Sequence, residues 1–546
     1  MNNNFTPWIS TLALLAGLAG PLQLQAQRVL EWRNAISERS SARSDPPDLT
    51  HYVRPIIPQD YAPGGKPALP LVRVPVSPIF PNVFVVDAVV NNTDPDLTNT
   101  DTFGDSEPSI ALNPHYCDVQ GERGRGCRMI VLLAFSGEWQ GDGTFAPLWI
   151  SDNWGQTWSK DFAIPFPPNA LGAEGCPCDQ TPDYGSSMEM SATFLTSGGY
   201  ANVYSGSTVN PADGSQWSWL LSDGTAQRTN SYGVNNADQP WLMANGDPEN
   251  RGQNDVYVAY DNFLGAPDMR VAVSYGSLPL DFTVDNLTGY SGSGSDMNPG
   301  QRLAVDLRSG AVYNLFQQCI ADCGYDDNPK TINYVLNRSL DGGLTWSLNG
   351  SGTGTVIATA QSTQARPKFG TVNALLGGVD HVAVDPATGD VYVVYGDRDP
   401  STQNNRLSIV RLTDDGRGGL TIGPSFFVTG QVQAALPSVA VADDYHGSVG
   451  VLYDTFDGVE SGYPQFSAHL AISSDHGMTF QDVILETFLS PATDNESDDR
   501  QRVLGDYQQL KAVGNGFYGV FTGNGVPFGR PFSNTDPIFF KTFVAR

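Results

Sequence analysis

Short alternating runs of apolar and polar residues recur along almost the whole chain. Examples are RMIVLLAFS from 128, DVYVAYDNF from 255, MRVAVSYG from 269 and GFYGVFTGNG from 516. A period of two over such short stretches, bounded by Gly, Asp and Pro, predicts β-strands joined by tight turns. The runs group into units, each opening on an acidic or proline-flanked start followed by strands rich in Val, Tyr and Phe. Openings stand at 107 (EPSIALNP), 188 (MEMSATFL), 238 (DQPWLMANG), 300 (GQRLAVDL), 379 (VDHVAVDP), 436 (LPSVAVAD) and 505 (GDYQQLKAV). A repeat of roughly 50 to 80 residues is the size of a four-stranded propeller blade.

The pattern predicts an all-β propeller of seven blades over residues 81–546. Six blades is the alternative, if the second or seventh unit is an insertion or a partial sheet. The seventh unit shows three strands before the chain ends. The segment Asn82-Val-Phe-Val-Val-Asp87 is positioned to supply the fourth, which closes the ring and leaves no sheet edge exposed.

Two stretches fall outside the pattern. Trp8–Gly20 is an apolar run of 13 residues, too short to span a bilayer and the length of a signal-peptide core. Leu24-Gln25-Ala26 then reads as a cleavage site, giving a signal peptide over 1–26 and an exported product. Residues 27–80 are proline-rich and form an arm on the body rather than a domain. Six cysteines fall into close pairs, Cys117/Cys127, Cys176/Cys178 and Cys319/Cys323, which read as local disulfides in an exported chain, with a zinc site as the rival reading.

Composition narrows the partners. The chain has 30 Lys+Arg against 58 Asp+Glu, a formal charge of −28, so nucleic acid and anionic membranes are poor candidates. The Asp-rich runs 94–105 and 494–499 admit structural calcium, and no cofactor is otherwise required. Sequons stand at Asn91, Asn286, Asn337, Asn349 and Asn495.

Three segments share one motif: Ser151-Asp-Asn-Trp-Gly-Gln-Thr-Trp158, Ser339-Leu-Asp-Gly-Gly-Leu-Thr-Trp346 and Ser473-Ser-Asp-His-Gly-Met-Thr-Phe480. In the first, alignment on Gly155 and Thr157 puts Asn153 at the aspartate position. Their starts lie 188 and 134 residues apart, about three and two blade lengths. Weaker versions stand at 221–225 and 412–416. The motif resembles the Asp-box, S-x-D-x-G-x-T-W/F, of sialidases and related bacterial-neuraminidase-repeat propellers. That resemblance implies turns between the third and fourth strands of a blade, on the face opposite the active site, so Asp341 and Asp475 are structural.

The resemblance also implies that function sits where the chain enters each innermost strand. Those positions hold Asp105, Glu107, Glu189, Asp238, Asp380, Asp506 and Tyr507 as candidate catalytic groups. Arg302, Arg366, Arg502 and His381 are candidates for substrate binding. Crowded carboxylates raise one another's pKa, which keeps one of them available as a general acid. Paired carboxylates are also the equipment of glycoside cleavage. The sialidase F/Y-R-I-P signature is absent; the nearest segment is Arg54-Pro-Ile-Ile-Pro58. The leading expectation is therefore a monomeric, exported glycosidase acting on extracellular carbohydrate. The alternatives are a non-catalytic propeller binding glycan or protein at the cell surface, and a polysaccharide lyase using Tyr507 and His381.

Overall fold

The structure is a computed structural model of the chain. It describes residues 71–72, 83–88, 105–117, 126–136, 147–163, 173–198, 203–213, 216–218, 237–247, 250, 252–262, 268–290, 300–323, 329–362, 368–369, 372–373, 379–414, 419–428, 433–444, 447–490, 504–525 and 535–544. Two units emerge, 1–45 and 46–546, and every described residue belongs to the second. The signal-peptide and most of the arm assignments, the Asp-rich runs apart from Asp105, Arg366 and Arg502 lie outside the described residues.

Among the described residues, seven antiparallel sheets follow one another as blades, and an eighth is only the two-stranded pair Lys368–Phe369 and Val372–Asn373. Their inner strands are Asp105–Leu112, Ala173–Tyr184, Ala237–Gly246, Arg302–Val305, Asp380–Val384, Ala434–Val441 and Gln509–Val513, for blades one to seven. Each inner strand contacts the next, and that of blade seven contacts that of blade one, so the sheets close into a ring. The architecture is a seven-bladed β-propeller. Strand Val83–Asp87 pairs antiparallel with Asp536–Phe543 of blade seven, with Val85 opposite Phe540. The ring is thus fastened by the segment that precedes the first blade, and Leu71–Val72 adds a short fifth strand beside it.

Blade two begins earlier than the alternation implied. Its inner strand is Ala173–Tyr184, and the run from Met190 is its second strand. Cys-Pro-Cys-Asp-Gln-Thr-Pro reads as turn punctuation, yet here it forms strand with two register shifts, at Glu174/Cys178 and Cys178/Thr181. Bulges let a strand carry prolines that a regular ladder excludes.

All inner strands run in the same sense, so their first residues share one face, called here the hub face. Four inner strands carry a bulge near that face, between Ser106/Ser109, Cys178/Thr181, Asp238/Trp241 and Ala435/Ser438. Within each, one non-glycine residue takes a left-handed backbone: Glu107 at φ 53, Asp179 at 51, Gln239 at 50 and Leu436 at 53. Such conformations cost free energy and persist only where the surroundings hold them. Here they turn three polar side chains at one level.

Beyond the bulges, the inner edge of each sheet has no partner strand. Side chains from the preceding blade take its place. Backbone N–H groups of Ile110, Leu242, Leu510 and Val439 donate to Gln509 Oε1 (2.6 Å), Thr181 Oγ1 (2.9 Å), Ser438 Oγ (2.8 Å) and His381 Nδ1 (3.3 Å). Each acceptor belongs to the blade before the donor's. This satisfies the strand edge that water reaches least and couples neighbouring blades.

The three motif turns join third and fourth strands, on the face away from the hub face. They share one wiring. Gly155, Gly343 and Gly477 donate their N–H to Ser151, Ser339 and Ser473 Oγ at 2.8–2.9 Å. The N–H of Thr157, Thr345 and Thr479 donates to Asn153, Asp341 and Asp475 Oδ1. Asn153 therefore stands in for the aspartate. At Gly155 (φ 78) a Cβ would run into the Phe539 ring of blade seven. These residues have a structural task and are far from the hub face.

Disulfides join Cys117 to Cys127 and Cys319 to Cys323. The side chains of Cys176 and Cys178 lie outside the description. The sequon asparagine Asn337 is fully buried, its Nδ2 donating to Thr288 O and Gly352 O, so it cannot accept a glycan in the folded chain.

Candidate functional site at the hub face

Blades one, two and seven bring together Glu107, Asp179 and Asp506, whose carboxylate oxygens lie within 4.8 Å of one another. All three are buried. They form the one set of three or more His, Cys, Asp or Glu among the described residues that is spaced to hold a metal ion. The trio is wired into the backbone: Asp506 N–H donates to Glu107 Oε1 at 3.2 Å, and Gln239 Nε2 donates to Asp506 Oδ2 at 3.1 Å. Two trio members, Glu107 and Asp179, are bulge residues with left-handed backbone. The bulges thus bring carboxyl groups from separate blades together.

Beside the trio sits a buried cation. The Arg302 guanidinium lies 4.4 Å from the Trp241 ring centre and 5.9 Å from that of Tyr507. Its Nη1 donates to Gln301 O at 2.8 Å. Trp241 in turn meets Tyr507 and His381 edge-on, at 5.6 and 5.5 Å. An arginine so stacked is held rigidly beside the hub carboxyls.

Asp380 opens the inner strand of blade five and is 1% exposed. Burial pushes its carboxyl up, while the Arg302 guanidinium pulls it back, leaving it at about 7. Asp261 of blade three, paired in register with Asp238, is held well above the usual carboxylate range by burial, against a hydrogen bond from Gln301 Nε2 at 2.9 Å. The hub face therefore holds carboxyls that are still at least partly protonated near pH 7, and that is the equipment for giving a proton away.

Other candidates have different tasks. His381 accepts from Val439 N–H on Nδ1, so its proton is on Nε2, facing Ser438 Oγ at 3.3 Å. Burial first, then Arg302 and Lys511, drives its pKa down to about 3. It is a neutral strand cap and carries no charge toward a substrate. Tyr507 Oη donates to Gln180 O at 2.9 Å, and burial holds its hydroxyl well above the ordinary range. That is unlike an activated nucleophile. Glu189 lies in the turn between the first and second strands of blade two, away from the hub face, and binds Ser277 Oγ and Asn254 Nδ2. The alternation placed it at the start of an inner strand because the true one, with Asp179, was masked by its prolines. Asp105 is buried at the start of blade one, its N–H on Thr535 O at 2.8 Å.

His381 gives a pH test. Its folded-state pKa lies below the unfolded value of 6.5, so the unfolded chain binds the extra proton first. Stability contributed by neutral His381 is complete above pH 6.5 and drains away as pH falls toward 3. His381→Gln is expected to lower the melting temperature at neutral pH and to flatten its fall between those limits. An unchanged acid-side slope in thermal melts would count against the cap.

No protein-family model and no curated protein matches the sequence. Among solved structures, the chain is similar to a thermostable family-43 glycoside hydrolase at 15% identity and TM-score 0.31, covering 59% of this chain and 94% of that one. An exo-1,5-α-L-arabinanase from a bovine ruminal metagenomic library follows at 13% identity and TM-score 0.30, covering 59% and 98%. The GH93 α-L-arabinofuranosidase of Fusarium graminearum, in complex with arabinobiose, shows 11% identity and TM-score 0.30, covering 56% and 92%.

Proposed function

We propose that this chain is an exported glycoside hydrolase of sialidase-like plan, cleaving extracellular carbohydrate at the hub face. The observation that supports it is the gathering of carboxylates from separate blades around one buried arginine. Asp380, neutral up to about pH 7, donates its proton to the glycosidic oxygen as the bond to the sugar breaks. The trio of Glu107, Asp179 and Asp506 supplies the opposing carboxylate, as nucleophile or as base for a water. Arg302 holds the negative charge that remains on Asp380 after transfer.

Two finer readings change in weight. A lyase would need Tyr507 and His381 free, and both are engaged on backbone groups. A sialidase-type tyrosine nucleophile meets the same objection at Tyr507. Near-complete burial of the hub carboxylates favours one second reading, a propeller whose hub is structural and whose rim binds glycan or protein.

Purified protein should release aglycone from at least one member of a panel of aryl glycosides that includes arabinosides and a sialoside, and Asp380→Asn should abolish that release. Silence across the panel would favour the binding reading. Release untouched by the substitution would remove the site assignment.

A further inference from the structure

Arg398 closes the second strand of blade five, at the hub-face end where Asp380 opens the first; Asp380 pairs with Tyr395, three residues before it. It is half-buried. Its Nε is shut off from solvent and finds no acceptor. Among the described arginines, the guanidinium of Arg398 alone makes no hydrogen bond, ion pair or ring contact; its backbone pairs with Asn405 in the strand ladder, and its N–H donates to Asp397 Oδ1 at 2.7 Å. The neighbouring acids are committed elsewhere: Arg406 binds Asp397 at 2.9 Å and Asp399 at 3.1 Å, and lies 3.9 Å from the Phe427 ring centre. In a chain with 58 acidic residues against 30 basic ones, a half-buried guanidinium without a counter-charge is a poor outcome of folding unless something else supplies the acceptors. Guanidinium prefers planar oxyanions that accept two parallel bonds.

We infer that Arg398 is an anion subsite on the rim of the hub face, binding a carboxylate or sulfate carried by the glycan. The glycan part rests on the hydrolase reading above; the oxyanion part does not. The substrate class is then an acidic glycan, with the neutral sugar to be cleaved, or the acidic one, set by the spacing between Arg398 and Asp380. Both charges serve different ends. Arg302 is sequestered among aromatics beside the proton donor, whereas Arg398 meets the ligand.

Calorimetric titration at low ionic strength tests this with three probes: methyl glucuronide, methyl glucoside and inorganic sulfate. Wild-type protein is expected to bind the glucuronide or the sulfate and to bind the glucoside at least about tenfold more weakly, as loss of a charge-assisted pair implies. The tighter of the two anions identifies the group. Arg398→Met, which keeps the aliphatic stem, should lose the anion preference with its melting temperature unchanged, and Arg398→Lys should restore part of it. Asp380→Asn should bind the anion as wild type does, so a failed hydrolase reading leaves this result standing. Equal anion binding by wild type and Arg398→Met, or no preference for anions in wild type, would overturn the proposal.

Discussion

Replacing Asp380 by asparagine is expected to lower hydrolysis of a responsive aryl glycoside by about 10²–10⁴-fold, the range for removing a positioned general acid. Asparagine keeps the shape and loses only the transferable proton. Stability should move the other way. The folded-state pKa of Asp380, about 7, lies above the ordinary 3.8, so between those values the native chain holds a proton that the unfolded chain has released. Its contribution to stability is complete below pH 3.8 and is lost as pH rises through 7. The asparagine variant has no such loss and should melt at or above the wild-type temperature in mildly alkaline buffer. Activity down with stability held is the signature of a chemical role. A joint fall of both would mark a packing residue.

Starting the chain at Val89 is expected to destroy the cooperative fold. That truncation removes Val83–Asp87 and leaves the outer edge of blade seven bare along Asp536–Phe543. Val83, Val85 and Val86 are fully buried, the first two among Leu510, Phe521 and Phe540, the third among Trp149, Trp158 and Phe539. At about 1.5–3 kcal/mol for each buried side chain, these three alone contribute about 5–9 kcal/mol. Whole-domain stability is typically about 5–15 kcal/mol. Gel filtration and thermal melts should show aggregation, or a broad transition shifted far down. A sharp transition within a few degrees of full length would mean that the ring does not depend on its fastening strand.

Much of this fold is written in the alternation. Inner and second strands are buried on both faces, so they appear as Val- and Tyr-rich runs such as DVYVAYDNF, and the fastening strand is visible because blade seven lacks a fourth. Blade two escaped because Cys176-Pro-Cys-Asp-Gln-Thr-Pro182 carries two prolines and little aliphatic character, and with it went Asp179 and Asp183. A clue was present: Asp179-Gln180 repeats the pairing of Asp238-Gln239, which opens the next inner strand. The candidate site is half legible in the sequence. Acidic starts pointed to Glu107, Asp380 and Asp506, but neutral partners such as Gln239, Gln317 and Trp241 carry no sequence signal until the ring brings them together. A histidine near carboxylates suggests charge in the sequence, whereas in the structure His381 is the acceptor that an inner strand edge needs. Arg398 carries no signal in the sequence; its unpartnered guanidinium sets it apart only in the structure.

The pH dependence of kcat/KM on a responsive aryl glycoside tests the central claim most directly. A hub acid that must be protonated predicts an alkaline limb with a midpoint at about 7, lost together with activity in Asp380→Asn. A profile that stays level from acid through alkaline pH, or one whose alkaline limb survives the substitution, would contradict it.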